Sequence, residues 1–206
     1  MIIQAQKGRG KKVHILLDGE YQITTDIDFW SEYGVADGTE ISDQEWELLK
    51  NDMNYRKALN KGADLLSRRS HSVYELKSKI RRTCDPASAE RAVEKFLELG
   101  YLNDEAFAAE LAEHLFKVKN YSERNVRSEL YKRGIDKEII NSVLSHNETD
   151  PLDSIIYIVN KRYFKKLSED GGREKVIAAL MRKGFSYSDI KTALNRIAVS
   201  YTHLRA

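Results

Sequence analysis

Residues 126–135 read VRSELYKRGI, and residues 176–185, fifty positions later, read VIAALMRKGF. Both stretches place two apolar residues four apart (Val126 and Leu130; Val176 and Leu180), then a basic pair (Lys132-Arg133; Arg182-Lys183), then glycine and an apolar residue (Gly134-Ile135; Gly184-Phe185). Fifty positions earlier, Leu76, Ile80 and Arg82 hold the same register. An apolar i, i+4 pair followed by cations and glycine is the end of a short amphipathic helix. The cations complement its C-terminal dipole, and the glycine supplies a left-handed C′ residue. Recurrence at a fixed period of this size points to an array of helical units.

Working outward, each of these helices has a predecessor with apolar residues at i, i+1, i+4, i+5 and i+8. They are Ala58, Leu59, Gly62, Ala63 and Leu66; then Phe107, Ala108, Leu111, Ala112 and Leu115; then Ile155, Ile156, Val159, a polar Asn160, and Tyr163. Each also has a successor, carrying Val93, Phe96 and Leu97, then Ile140, Val143 and Leu144, then Ile190, Leu194 and Ile197. Asp85-Pro86 and Asp150-Pro151 place a capping carboxylate before a proline at the first helical position. Ser72-x-x-Glu75 is a capping box, Ser186-x-x-Asp189 a weaker variant, and Gly100 closes a helix as Gly134 and Gly184 do. The expected fold is mainly α: a tandem array of three three-helix, helix-turn-helix-like repeats over 57–103, 104–149 and 150–198. A small α+β domain precedes it at 1–56. The tail 199–206 (VSYTHLRA) continues no unit and is set apart as a non-native or disordered segment.

The N-terminal part carries an apolar run from Val13 to Leu17, Asp18-Gly19, and then Tyr21 and Ile23 alternating with polar residues. A DG pair between such runs is a hairpin signal, because a type I′ turn needs two positive φ angles. Phe29 and Trp30 before Gly34 suggest a short helix. Ser42-x-x-Glu45 opens another, with Trp46, Leu49 and Met53 on one face.

Composition narrows the function. Of 206 residues, 41% are hydrophobic and 32% charged, too apolar for general disorder and too charged for a membrane protein. A monomer is expected, with no signal peptide, no membrane contact and a reducing cytoplasm as the compartment. Cys84 alone builds neither a disulfide nor a thiolate metal site. The five histidines lie outside any metal-ligand spacing. Gly8-Arg9-Gly10-Lys11-Lys12 lacks the spacing and hydroxyl of a phosphate loop and reads as a flexible basic arm. No catalytic set emerges, so neither enzyme activity nor a cofactor is expected.

The net charge of +2 is unevenly spread: residues 1–56 hold 6 Lys+Arg against 11 Asp+Glu, and residues 57–206 hold 28 against 21. Candidate contacts for an anionic partner are Arg68, Arg69, Lys79 and Arg82 in the first unit, Arg127, Lys132 and Arg133 in the second, and Arg182 and Lys183 in the third. Part of this pattern needs no partner, since cations at helix C-termini favour the helix by themselves. Tyr74, Tyr121, Tyr131 and Tyr163 could stack on bases, although aromatics at helical spacing more often pack. Three function classes stay open on residues alone: a filament- or DNA-tracking array, a stand-alone helix-turn-helix transcriptional regulator, and a structural interaction protein.

Three stretches narrow these choices. Residues 65–80 (LLSRRSHSVYELKSKI), 100–108 (GYLNDEAFA) and 126–135 (VRSELYKRGI) resemble the signatures of the RecX family, and the likeness runs over about 57–198. The third unit matches by pattern, and the N-terminal part is like a small extra domain of some members. The resemblance implies regulation of RecA recombinase. Members bind the RecA–DNA filament along its groove, inhibit ATP hydrolysis and strand exchange, and promote filament loss. They also contact single- and double-stranded DNA, here expected to be weak and salt-dependent.

Overall fold

A computed structural model describes residues 1–203, without the side chains of 199–203; Leu204 to Ala206, the end of the segment set apart above, lie outside the described residues. The chain divides into two compact units, Met1–Leu102 and the part from Asn103 onward.

The first unit opens with an antiparallel three-stranded sheet, β1 (Ile3–Lys7), β2 (Lys12–Leu17) and β3 (Glu20–Asp26), in that order across the sheet. Asp18 and Gly19 take φ of 48° and 85°, as the turn chemistry requires. β1 is an addition: Ile3 to Lys7 pair with Leu17 to Val13. Gly8 to Lys11 are therefore a hairpin turn, closed by Gly8 N donating to the Lys12 carbonyl at 2.8 Å, and not the flexible arm expected. The alternation Ile3, Ala5 carries the reason, because it places both residues toward the core that Val13, Ile15 and Leu17 share.

α1 (Ile27–Tyr33) starts on Asp26, whose carboxylate accepts from Phe29 N at 2.8 Å, and ends on left-handed Gly34. α2 (Asp43–Leu66) starts on the Ser42–Glu45 capping box. It runs for 24 residues without a break, so the expected boundary at residue 56 falls inside a continuous helix. Residues 43–61 contain neither proline nor glycine to interrupt it. Its first half packs Trp46, Leu49 and Met53 on the sheet. Its second half packs Ala58 against α3 (Val73–Ile80) and α4 (Pro86–Glu98), where Leu76, Ile80, Ala89, Ala92, Val93 and Phe96 close the core.

The second unit contains two three-helix groups. α5 (Asp104–Lys117), α6 (Glu123–Lys132) and α7 (Lys137–Ser145) enclose Phe107, Ala108, Leu115, Val126, Leu130 and Ile140. α8 (Pro151–Ile158), α9 (Gly172–Arg182) and α10 (Tyr187–His203) enclose Ile155, Val159, Val176, Leu180, Ile190 and Leu194. Asp85 and Asp150 cap α4 and α8 with proline at the next position, and Ser186 Oγ accepts from Asp189 N at 3.1 Å. Gly100, Gly134 and Gly184 all take positive φ. The residue after each donates to the carbonyl five positions back (Tyr101 to Phe96, Ile135 to Leu130, Phe185 to Leu180), the closure the glycine-ended helices require.

The helix expected over Ile155 to Tyr163 is only partly regular. Beyond α8 it widens into a π turn at Val159–Tyr163 and tightens into a 3₁₀ turn at Lys165–Ser168. The π turn shifts the phase, so Asn160, which a regular helix would aim at the core, faces solvent while Val159 stays buried.

At Gly62 α2 lies tight against the Phe96 side chain of α4: a Cβ there would overlap the Phe96 ring and crowd Ile80. Helix propensity alone favours alanine over glycine by about 1 kcal/mol. The clash should outweigh this gain, and Gly62→Ala should cost about 1–3 kcal/mol, read as a lowered urea midpoint. An unchanged midpoint would mean that Phe96 swings aside freely.

Candidate functional site

The basic residues singled out from sequence lie at the ends of α2, α3, α6 and α9, except Arg127, which sits midway along α6. They are there because the turn after the last buried apolar residue is the first free to face solvent.

In the first unit, Arg68 Nη2 reaches both oxygens of Asp64, at 2.8 and 3.0 Å. Arg69 Nη1 donates to the Ser70 carbonyl at 2.8 Å and to Glu75 at 3.1 Å. His71 is only 3% exposed and joins Arg69 to Lys79. Its Nε2 lies 2.9 Å from Lys79 Nζ, and its Nδ1 lies 2.9 Å from the Arg69 carbonyl. An ammonium can only donate, so Nε2 accepts, and Nδ1 carries the proton that the carbonyl receives. Burial holds His71 below the ordinary histidine range. The charges of Arg69 and Lys79 push the same way, against the Arg69 carbonyl and Glu75. Arg82 lies exposed just past α3, without an ion pair among the described residues.

In the second unit, Arg127 donates to Asn141 at 2.6 Å and to Glu123 at 3.3 Å. Lys132 and Arg133 converge on one carboxylate: Glu129 accepts from each at 2.8 Å. These two hydrogen bonds, that from Lys132 first, hold Glu129 below the ordinary carboxylate range. Arg182 is exposed and has no ion pair among the described residues. Lys183 is tied by its backbone, its carbonyl accepting from Ser122 Oγ at 2.7 Å.

The three basic clusters are therefore not equivalent. The position three before the cation that recurs every fifty residues (Arg82, Lys132, Arg182) is Lys79, Glu129 and Ala179 in turn. Where it is Glu, the cations that follow are half-neutralised. Where it is Lys or Ala, Arg82 and Arg182 keep their full charge. Sequence shows all three residues but not the side-chain reach that pairs Glu129 with both of its neighbours.

The structure also forms a cleft that helical spacing does not single out. It has a volume of about 380 Å³ and is lined by Val118, Lys119, Asn120 and Tyr121 after α5, by Asn125 in α6, by Tyr157, Ile158, Lys161 and Arg162 around the π turn, and by Lys183 and Phe185. A larger groove of about 790 Å³ in the same unit has the opposite character, with Glu105, Glu113, Glu148, Asp150 and Asp153 on its walls. Among the described residues no group of three His, Cys, Asp or Glu could hold a metal ion. No described helix is long and apolar enough to cross a membrane.

Comparison with known proteins agrees with this architecture. Residues 103–144 match the family model of the second three-helix domain of RecX, and residues 148–194 that of the third. The regulatory protein RecX of Caldanaerobacter subterraneus subsp. tengcongensis is 30% identical over 192 residues, 92% of this chain and 95% of that one. The regulatory protein RecX of Clostridioides difficile (strain 630) is 27% identical over 198 residues, 95% of this chain and 93% of the relative. A crystal structure of a regulatory protein RecX shares the fold with a TM-score of 0.67 at 20% identity, covering 94% of this chain and 98% of that one. The crystal structure of RecX from Lactobacillus salivarius does so with a TM-score of 0.62 at 20% identity, over 71% and 97% of the two chains.

The His71 arrangement has a pH signature. A histidine kept neutral in the folded state leaves the unfolded chain binding more protons in mild acid, so its stabilising effect is present near neutral pH and lost as pH falls. Between about pH 7 and pH 5, wild type should lose more unfolding free energy than His71→Asn, in which the amide replaces the Nδ1 donor. Parallel pH profiles in urea titrations would sink this assignment.

Proposed function

Because the chain belongs to the RecX family of regulatory proteins, we propose that it acts on RecA recombinase and its nucleoprotein filament, inhibiting ATP hydrolysis, strand exchange and filament growth in recombination and repair. It acts in the cytoplasm, as a monomer, by binding and without chemistry of its own.

The observation that carries this reading is the recurrence of cations at the end of a short middle helix in all three groups. Several weak, similar contacts on one chain add through effective concentration, which suits a partner that is itself a repeating polymer. Arg68, Arg69, Lys79, Arg82, Arg127, Lys132, Arg133, Arg182 and Lys183 are the proposed contacts with the filament or its DNA. Their contributions are graded by their existing partners. Among the described residues Arg82 and Arg182 have no carboxylate to leave, whereas Lys132, Arg133 and Arg68 must first give one up. Contacts to phosphate would make the DNA component fall steeply with salt.

The test is steady-state ATP hydrolysis by the cognate RecA on single-stranded DNA, with this protein added well below the RecA concentration. A strong fall in rate is expected. Arg82→Ala combined with Arg182→Ala should weaken inhibition by roughly fivefold or more, while Lys132→Ala changes it by less than about twofold. An unchanged rate at equimolar, folded protein would overturn the RecA reading and leave a duplex-binding regulator in its place.

A further inference from the structure

We propose that the cleft formed by Lys119, Tyr121, Tyr157, Lys161, Arg162 and Lys183 is a seat for single-stranded nucleic acid, holding a stretch of phosphate backbone with a base against a tyrosine ring. The inference deepens the DNA-contact part of the proposed function. It concerns a site largely separate from the helix-end cations, sharing only Lys183 with them.

The charge is the first ground. Four cations line the cleft and no carboxylate does. Among the described residues none of the four is in an ion pair, so the cleft gathers four cations with no acidic side chain to offset them. Concentrating like charges in a concavity is unfavourable unless an anion occupies it.

The backbone that gathers the cations is the second ground. The π turn at Val159–Tyr163 brings Lys161 and Arg162 together to the cleft wall, where a regular helix would spread consecutive residues around its circumference. On the opposite wall Asn120 takes a left-handed φ of 52°, which turns the chain sharply after α5 and sets Lys119 and Tyr121 at the rim. The floor is fixed as well. Ser122 Oγ donates to the Lys183 carbonyl, and a Cβ on Gly184, itself at φ +85°, would strike that same hydroxyl. The α9–α10 turn is thus seated on the start of α6 with no room to slide.

The aromatic faces identify the ligand class. Tyr157 is 49% exposed and Tyr121 37%, so neither ring is used up in the core. Lys161 Nζ lies 5.1 Å from the Tyr157 ring centroid and donates to its hydroxyl at 2.9 Å, placing charge and π-face side by side. A cationic groove with aromatic platforms is what unpaired nucleotides require, since each offers a phosphate and a free base face. A duplex keeps its base faces stacked inside and could use only the cations. An acidic peptide would likewise leave the rings idle.

The experiment is fluorescence anisotropy of the full chain, without RecA, on a labelled short single-stranded oligonucleotide over a salt series. Lys161→Ala with Arg162→Ala should weaken binding at least tenfold and reduce the salt slope by about 1.4, two phosphates at about 0.7 each. Lys175→Ala with Lys191→Ala removes the same charge from exposed positions of the same unit outside the cleft, and should change binding by less than about twofold. Tyr157→Ala should lose at least about fivefold, and Tyr157→Phe, which keeps the ring, should stay within about twofold of wild type. Equal losses from the two lysine- and arginine-removing pairs would overturn the proposal. So would equal losses from both Tyr157 variants, absence of wild-type binding at low salt, tighter cleft-dependent binding of a duplex of the same length, or displacement by polyglutamate as effective as by unlabelled oligonucleotide. Because RecA is absent, these outcomes are independent of the ATP hydrolysis result.

Discussion

Every three-helix group depends on burying two apolar residues four positions apart on its middle helix. Leu76 and Ile80, Val126 and Leu130, and Val176 and Leu180 are all fully buried. The helices that carry them have only 8, 10 and 11 residues, shorter than the roughly 12–15 at which an isolated helix becomes even marginal in water. They exist because their neighbours cover this pair. Caps then set the ends. Ser72 and Ser122 open α3 and α6, while Gly134 and Gly184 let the chain leave α6 and α9 in the left-handed conformation.

The same constraint places the charges. Once the buried pair is satisfied, the final turn of each middle helix faces water, and cations are favoured there by the helix dipole as well as by solvation. Local charge is then tuned by a single position. Glu129 draws Lys132 and Arg133 onto itself, whereas Lys79 and Ala179 leave Arg82 and Arg182 unneutralised. For the filament-binding role proposed above, such grading would leave the neutralised contacts holding little and releasing readily. The buried His71 adds a structural tie, linking the end of α2 to α3 through the Arg69 carbonyl and Lys79.

Much of this organisation follows from the amino-acid sequence by itself. The apolar i, i+4 pairs, Asp85-Pro86 and Asp150-Pro151, the glycine closures and the Asp18-Gly19 turn are local signals, each interpretable within a few residues of itself, and the fifty-residue register is their repetition along the chain. The positions of the helix-end cations follow for the same reason. Other features depend on partners distant in sequence. β1 forms because the edge of β2 offers it hydrogen bonds, and the segment after α1 covers its other side through the Thr39 and Ile3 carbonyls. α2 is one helix because two different cores take its two halves, so the change in its partners leaves no mark on its backbone. The π turn at Val159–Tyr163, the sharing of Glu129, and the cleft of Lys119, Tyr157 and Arg162 were settled by tertiary structure alone. Periodicity records which face of a helix is apolar, but the phase of a distorted turn and the reach of a long side chain are fixed only when the packed neighbours are in place.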